Sequence, residues 1–85
     1  MGASNTLVCY IDMFSAAQSV IFPDGNEARI SIDDVAGYLP AVCYNHDIPK
    51  IHIYGNEQYI SGLVPQILSY EKTHYSKNKL EIEVN

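Results

Sequence analysis

Two stretches of strict alternation, KIHIYG at residues 50–55 and LEIEV at residues 80–84, flank a segment whose apolar residues recur at helical spacing. A period of two sends successive side chains to opposite faces of a sheet, whereas recurrence at three and four residues marks one face of a helix. Within 57–75 that stripe is Ile60, Leu63, Val64, Ile67, Leu68 and Glu71, interrupted by Pro65. A strand, a helix and a strand in this order form a right-handed crossover between parallel strands. The C-terminal part of the chain therefore calls for a parallel strand pair with a helix packed across it.

The N-terminal part supplies the remaining elements. TLVCYIDMF (6–14) is almost continuously apolar and β-rich, which predicts a central strand covered on at least part of both faces. QSVIF (18–22) and EARISI (27–32) read as two further strands, joined through PDGN (23–26), where Pro presets φ and Gly accepts a positive φ. Residues 31–47 read as a helix, with Val35, Leu39, Val42, Cys43 and His46 at helical spacing. Ser31 with Asp34 resembles a capping box. Pro40 deletes a helical hydrogen bond, which predicts a kink there or a regular helix that begins only near Leu39. GYLPAVCY (37–44) and GLVPQILSY (62–70) echo each other, each a crossover segment softened by Gly and Pro.

The resulting order is β-β-β-α-β-α-β. The fold class predicted is α/β (α+β), a single domain over 1–85 with a five-stranded mixed sheet in the order 3-2-1-4-5, the second strand antiparallel to the rest. Both crossovers step in one direction with one hand, so both helices cover the same face. Ile51 and Ile53, with Leu80, Ile82 and Val84, then meet the helices. His52 and Tyr54 look away, with Glu81 and Glu83; on the first strand either Leu7, Cys9, Ile11 and Met13 or Val8, Tyr10, Asp12 and Phe14 look outward, and the second set is assigned to the outer face because it holds Asp12. An apolar patch of this kind on a free monomer points to a partner.

Eighty-five residues make one small domain, and an apolar fraction of 47% suits a folded globule. No run approaches the ~20 apolar residues of a membrane span. The start lacks a basic region followed by an apolar one, so no secretory signal is expected, although MGASNT fits the loose N-myristoylation pattern. Cys9 and Cys43 lie in apolar stretches outside any C-x-x-C, which predicts buried free thiols and a reducing, cytoplasmic setting. The formal charge of −5 is concentrated in residues 1–48, where six acids face Arg29 alone. With no basic stripe, neither nucleic acid nor membrane is an expected partner.

The element order, and IYGNEQYISGL in particular, resembles the ribonuclease H-like superfamily, whose fourth strand runs into a Y-T-D-S-Q-Y-like turn. Tyr54, Gln58 and Tyr59 carry the match. The resemblance implies paired divalent ions held by clustered carboxylates. Asp12 would stand for the first-strand aspartate and Asp33 or Asp34 for the acid of the first helix. Asn56, which is neutral, occupies the fourth-strand position, and the last acid of the set has no counterpart here. No P-loop, G-x-G-x-x-G, nucleophile elbow or zinc-spaced Cys/His set is present; Cys43-x-x-His46 lacks a second pair.

The sequence thus predicts a non-enzymatic, acidic interaction protein without cofactor, metal or catalytic residues. It would self-associate as a homodimer or dock a protein partner through the open sheet face. Tyr10, Asp12, His52, Tyr54, Asn56 and Tyr59 are the expected binding residues. The alternatives are a degenerate ribonuclease H-like nuclease or nucleotide-binding module, and an acidic inhibitor of a nucleic-acid-binding protein.

Overall fold

The computed structural model describes residues 5–85. Its elements are β1 (Thr6–Tyr10), β2 (Gln18–Ile21), β3 (Glu27–Ile30), α1 (Ile32–His46), β4 (Lys50–Tyr54), α2 (Glu57–Tyr75) and β5 (Glu81–Val84). The strands form one sheet in the order β3-β2-β1-β4-β5. β2 runs antiparallel to β1 and β3, and β1, β4 and β5 run parallel. The chain is therefore α+β, with the order and strand directions that the alternation and crossover handedness predict. The myristoylation pattern at Gly2 lies outside the described residues. Among the described residues, no helix is long and apolar enough to cross a membrane.

One core lies between the sheet and the helices. Leu7, Cys9, Val20, Ile51 and Ile53 point up from the sheet, and Val35, Leu39 and Cys43 of α1 with Ile60, Leu63 and Ile67 of α2 point down onto them. Each such aliphatic side chain contributes roughly 1.5–3 kcal/mol of hydrophobic stabilisation. The helices also pack on each other, and at Gly37 a Cβ would come within 2.9 Å of the Tyr70 ring. Both cysteines are buried and free, and burial pushes each thiol up to about 12, with the Glu71 carboxylate adding to the effect at Cys43.

Several local expectations are corrected. β1 does not continue to residue 14, because a turn captures the backbone after Ile11. The Asp12 Oδ1 accepts from Phe14 N at 3.0 Å, its Oδ2 accepts from the Ser15 hydroxyl at 3.2 Å, and Ser15 N donates to Asp12 O at 3.0 Å. The buried Gln18 side chain holds the same turn, accepting from Asp12 N and donating to Ser15 O. Asp12 and Phe14 are thus turn residues and not members of a sheet face, and Phe14 is fully exposed.

Pro40 does not delay α1; the helix is regular from Ile32 to His46 with Pro40 buried inside it. Pro65 likewise sits inside α2. The Ser31–Asp34 pair does not form a capping box, since the Ser31 hydroxyl donates to the Asp34 carboxylate at 3.2 Å and no side chain caps the α1 amino end. Val84 is not covered by the helices as expected: it pairs with Ile53 at the sheet edge and is 47% exposed. The PDGN segment does turn, closed by Phe22 N to Asn26 O at 2.8 Å with Gly25 at φ 94°.

Candidate functional site

Strand register decides which side chains share the sheet face away from the helices. β1 pairs Val8 with His52 and Tyr10 with Tyr54, and β4 pairs His52 with Glu83. On the other side of β1, Val8 faces Ile21 and Tyr10 faces Ser19, which in turn lies beside Arg29. The face therefore carries two transverse rows, Glu27–Ile21–Val8–His52–Glu83 and Arg29–Ser19–Tyr10–Tyr54.

Three rings in these rows stack. Tyr10 and Tyr54 are parallel-stacked with centroids 5.2 Å apart, and Tyr54 stacks on His52 with centroids 4.2 Å apart. Directly opposed residues on adjacent strands come within this range, and offset stacking suits the ring quadrupoles. Tyr10, at the open end of the column, is 50% exposed, while Val8, Ile21, His52 and Tyr54 are partly buried. The centre of the face is thus aromatic and aliphatic.

Its two margins are charged. The Lys50 ammonium lies 2.8 Å from Glu83 Oε1, and His52 Nδ1 lies 3.6 Å from the same oxygen. The hydrogen bond from Lys50 and its charge hold the Glu83 carboxyl below the usual carboxylate range, and the hydrogen bond to Glu83 raises Lys50 in return. At the opposite margin the Arg29 guanidinium donates to Ser19 Oγ at 3.0 Å and to Ala17 O at 3.1 Å. His52 Nδ1 is also 3.4 Å from the Tyr54 hydroxyl, while His52 Nε2 is buried without a hydrogen-bond partner among the described residues.

Of the six expected binding residues, the fold brings together Tyr10, His52 and Tyr54 on this face. Asp12 is engaged in its own turn, as described. Asn56 is the N-cap of α2: its Oδ1 accepts from Gln58 N at 2.9 Å, satisfying one of the helix's first free N–H groups. Gly55, which precedes it, has φ 150°, and a Cβ there would sit 2.6 Å from Ile11 O. The Gly55–Asn56 turn is thus a tight connection between β4 and α2, pinned further by Asn85 Oδ1, which accepts from Gly55 N at 3.0 Å. Tyr59 lies on the first turn of α2, 44% exposed, in a cleft of about 320 Å³ shared with Met13, Asp33 and Gln66.

Among the described residues, no group of three or more His, Cys, Asp or Glu side chains is placed to hold a metal ion. Cys43 is core, and His46 packs edge-on against Phe22 with centroids 5.8 Å apart. A larger cavity of about 420 Å³ lies at the other end of the sheet, bounded by Phe22, Asp24, Asn26 and His46; none of the six expected binding residues lines it.

One buried polar centre escaped the sequence reading. Glu71 is fully buried, and its carboxylate accepts from the Tyr44 hydroxyl at 2.6 Å and from the backbone N–H groups of Lys79 and Leu80 at 2.9 and 3.1 Å. Tyr44 is stacked on Tyr75 at 3.8 Å, with the Lys79 ammonium 4.9 Å from its ring centroid. An acid at a core position of the α2 stripe was the available signal.

The fold and the face together define an α+β two-layer protein with one bare, aromatic-centred sheet surface. No protein-family model matches the chain, and neither the curated proteins nor the solved structures contain a match to it. The resemblance to the ribonuclease H-like superfamily rests on element order and on Tyr54, Gln58 and Tyr59 alone.

Proposed function

We propose that this chain is a non-catalytic interaction module whose sheet face receives a second copy of itself. The observation that carries the reading is the Tyr10–Tyr54–His52 stack on a face that neither helix covers. Tyrosine brings apolar area and a hydroxyl at low conformational cost, which is why it is enriched at interface centres. The two longer dimensions of the Cα framework, 31 and 29 Å, give the sheet layer room for a standard interface of about 800 Å² per partner.

A two-fold axis along β1 lays β3 of one copy over β5 of the other, which brings Glu27, in the Val8–His52 row, level with Glu83 of its twin, and Arg29 one row away. The Glu27–Glu83 opposition works against this packing and Arg29 only partly offsets it, so the aromatic centre must supply the contact. Closed two-fold assembly is the commonest solution for such a surface.

Sedimentation equilibrium at micromolar concentration tests the reading. A dimeric mass is expected, with Tyr54→Asp shifting it to the monomer while circular dichroism shows both helices retained. A monomeric wild type over that range overturns it.

A further inference from the structure

The β5 margin has a second property, independent of the aromatic face. Glu81 N donates to Pro49 O at 3.0 Å and Asn85 N donates to Ile53 O at 2.7 Å, so these alternate positions direct their backbone groups at β4. Backbone groups alternate sides along a strand, so those of Ile82 and Val84 point outward from the sheet edge. Val84 is 47% and Leu68 37% exposed, and Ile60, Val64 and Val84, with Glu57, Gln58 and Ser61 at its polar end, bound a groove of about 380 Å³. On the opposite side of the strand stand Glu81, which is exposed, and the half-exposed Glu83.

We infer that the β5 edge is a strand-addition site for an extended segment of another protein in which apolar and basic residues alternate. The added strand hydrogen-bonds to the outward backbone groups of Ile82 and Val84. Its apolar side chains enter the groove between Val84 and Val64, and its lysines or arginines meet Glu81 and Glu83 on the other face. This is recognition by main-chain pairing, with pockets for alternate side chains setting specificity.

Charge argues against a second copy as the occupant. Antiparallel pairing of two β5 strands centred on Glu83 places that carboxylate directly opposite its twin, and like charges in that position are destabilising. Charged residues on an edge strand are a common defence against self-pairing. Here they also choose the sign of the incoming strand.

The test uses a fluorescein-labelled peptide of alternating valine and lysine, titrated with the intact protein at low salt and followed by anisotropy. Saturable binding is expected, accompanied by slowed hydrogen exchange at the Ile82 and Val84 amides. A peptide N-methylated throughout its backbone should bind at least about tenfold more weakly, since it keeps the charges but cannot pair as a strand. Val84→Pro removes an outward N–H without touching the β4 ladder and should weaken binding similarly. If that variant does not fold, the methylated peptide against the unaltered protein gives the answer.

A valine–glutamate peptide should not bind, and Glu81→Lys with Glu83→Lys should reverse that preference. Phe14→Ala, in the fully exposed turn after β1, should leave peptide binding unchanged, which separates this edge from exposed apolar surface elsewhere. Absence of saturable binding, equal binding of the methylated peptide, or self-association through β5 overturns the proposal.

Discussion

The Tyr44 hydroxyl donates to Glu71 Oε2 across 2.6 Å, joining α1 to α2 at the same oxygen that receives the backbone N–H groups of Lys79 and Leu80. One carboxylate thereby fastens both helices and the entry to β5. Burial works against its charge, but the donors from Tyr44, Lys79, Leu80 and Asn78 outweigh that and hold its pKa below the usual value. A depressed folded-state pKa gives stability that is present above the unfolded value of about 4.3 and is lost as pH falls through the folded one. Tyr44 is shifted the other way, up to about 12, by burial and by its bond to Glu71. Its contribution is complete below the unfolded value of about 10 and is lost as pH rises toward 12. Glu71→Gln leaves donors facing an amide and should cost about 1–3 kcal/mol near neutral pH. Urea unfolding of both proteins across pH 3–7 checks this: the difference should shrink at the acid end, and a constant gap would assign it to packing instead.

The fold was legible because its determinants are local. Alternation in KIHIYG and LEIEV, helical spacing in 57–75 and the handedness of crossovers together leave a single simple sheet order. The path after Ile11 was not legible, because an apolar run gives no sign that Asp12, Ser15 and Gln18 will close a turn on one another. Glu71 was visible as an acid in an apolar stripe, yet its donors come from α1 and from the loop before β5, so only the assembled fold reveals its partners. Of the face residues, His52 and Tyr54 followed from strand parity, whereas Tyr10 was placed there only because its set held Asp12; Asn56 and Asp12 did not belong there because polar side chains at element ends bond their own backbone first.

Gly55 and Gly25 both adopt positive φ, at 150° and 94°, but their surroundings differ. An added Cβ meets nothing within 4 Å at Gly25 and lies 2.6 Å from Ile11 O at Gly55. Gly25→Ala should therefore cost about 1 kcal/mol, from backbone strain alone. Gly55→Ala adds a clash of the new Cβ with Ile11 O, just past the ends of β4 and β1, and should cost roughly 2–4 kcal/mol. Chemical denaturation of the two variants orders them, and equal losses would mean that the β1–β4 approach is looser than described.

Cys9 and Cys43 should react with a polar thiol reagent only through opening of the structure. Both are inside the core, and burial pushes both thiols up to about 12, so neither presents an accessible thiolate near neutral pH. The labelling rate should rise with urea in parallel with global unfolding. Fast labelling of both in the native protein would place at least one of them outside the core.

No cleavage of an RNA–DNA hybrid is expected with Mg²⁺ or Mn²⁺. Two-ion hydrolysis requires several carboxylates converging on ions roughly 3.5–4 Å apart. In this fold Asp12 has both oxygens committed, one to Phe14 N and one to the Ser15 hydroxyl. Asp34 receives the Ser31 hydroxyl, and the fourth-strand position is Asn56, whose carbonyl oxygen caps α2. A metal drawing on these groups would compete with the turn after β1 and with the α2 cap, and a lost cap alone costs about 1 kcal/mol. The assay compares the wild type with Asp12→Asn over a range of Mn²⁺ concentrations, with protein integrity followed by circular dichroism. Metal-dependent cleavage by the wild type, abolished in a folded Asp12→Asn variant, would show that the carboxylates do converge and would return the chain to the nuclease reading.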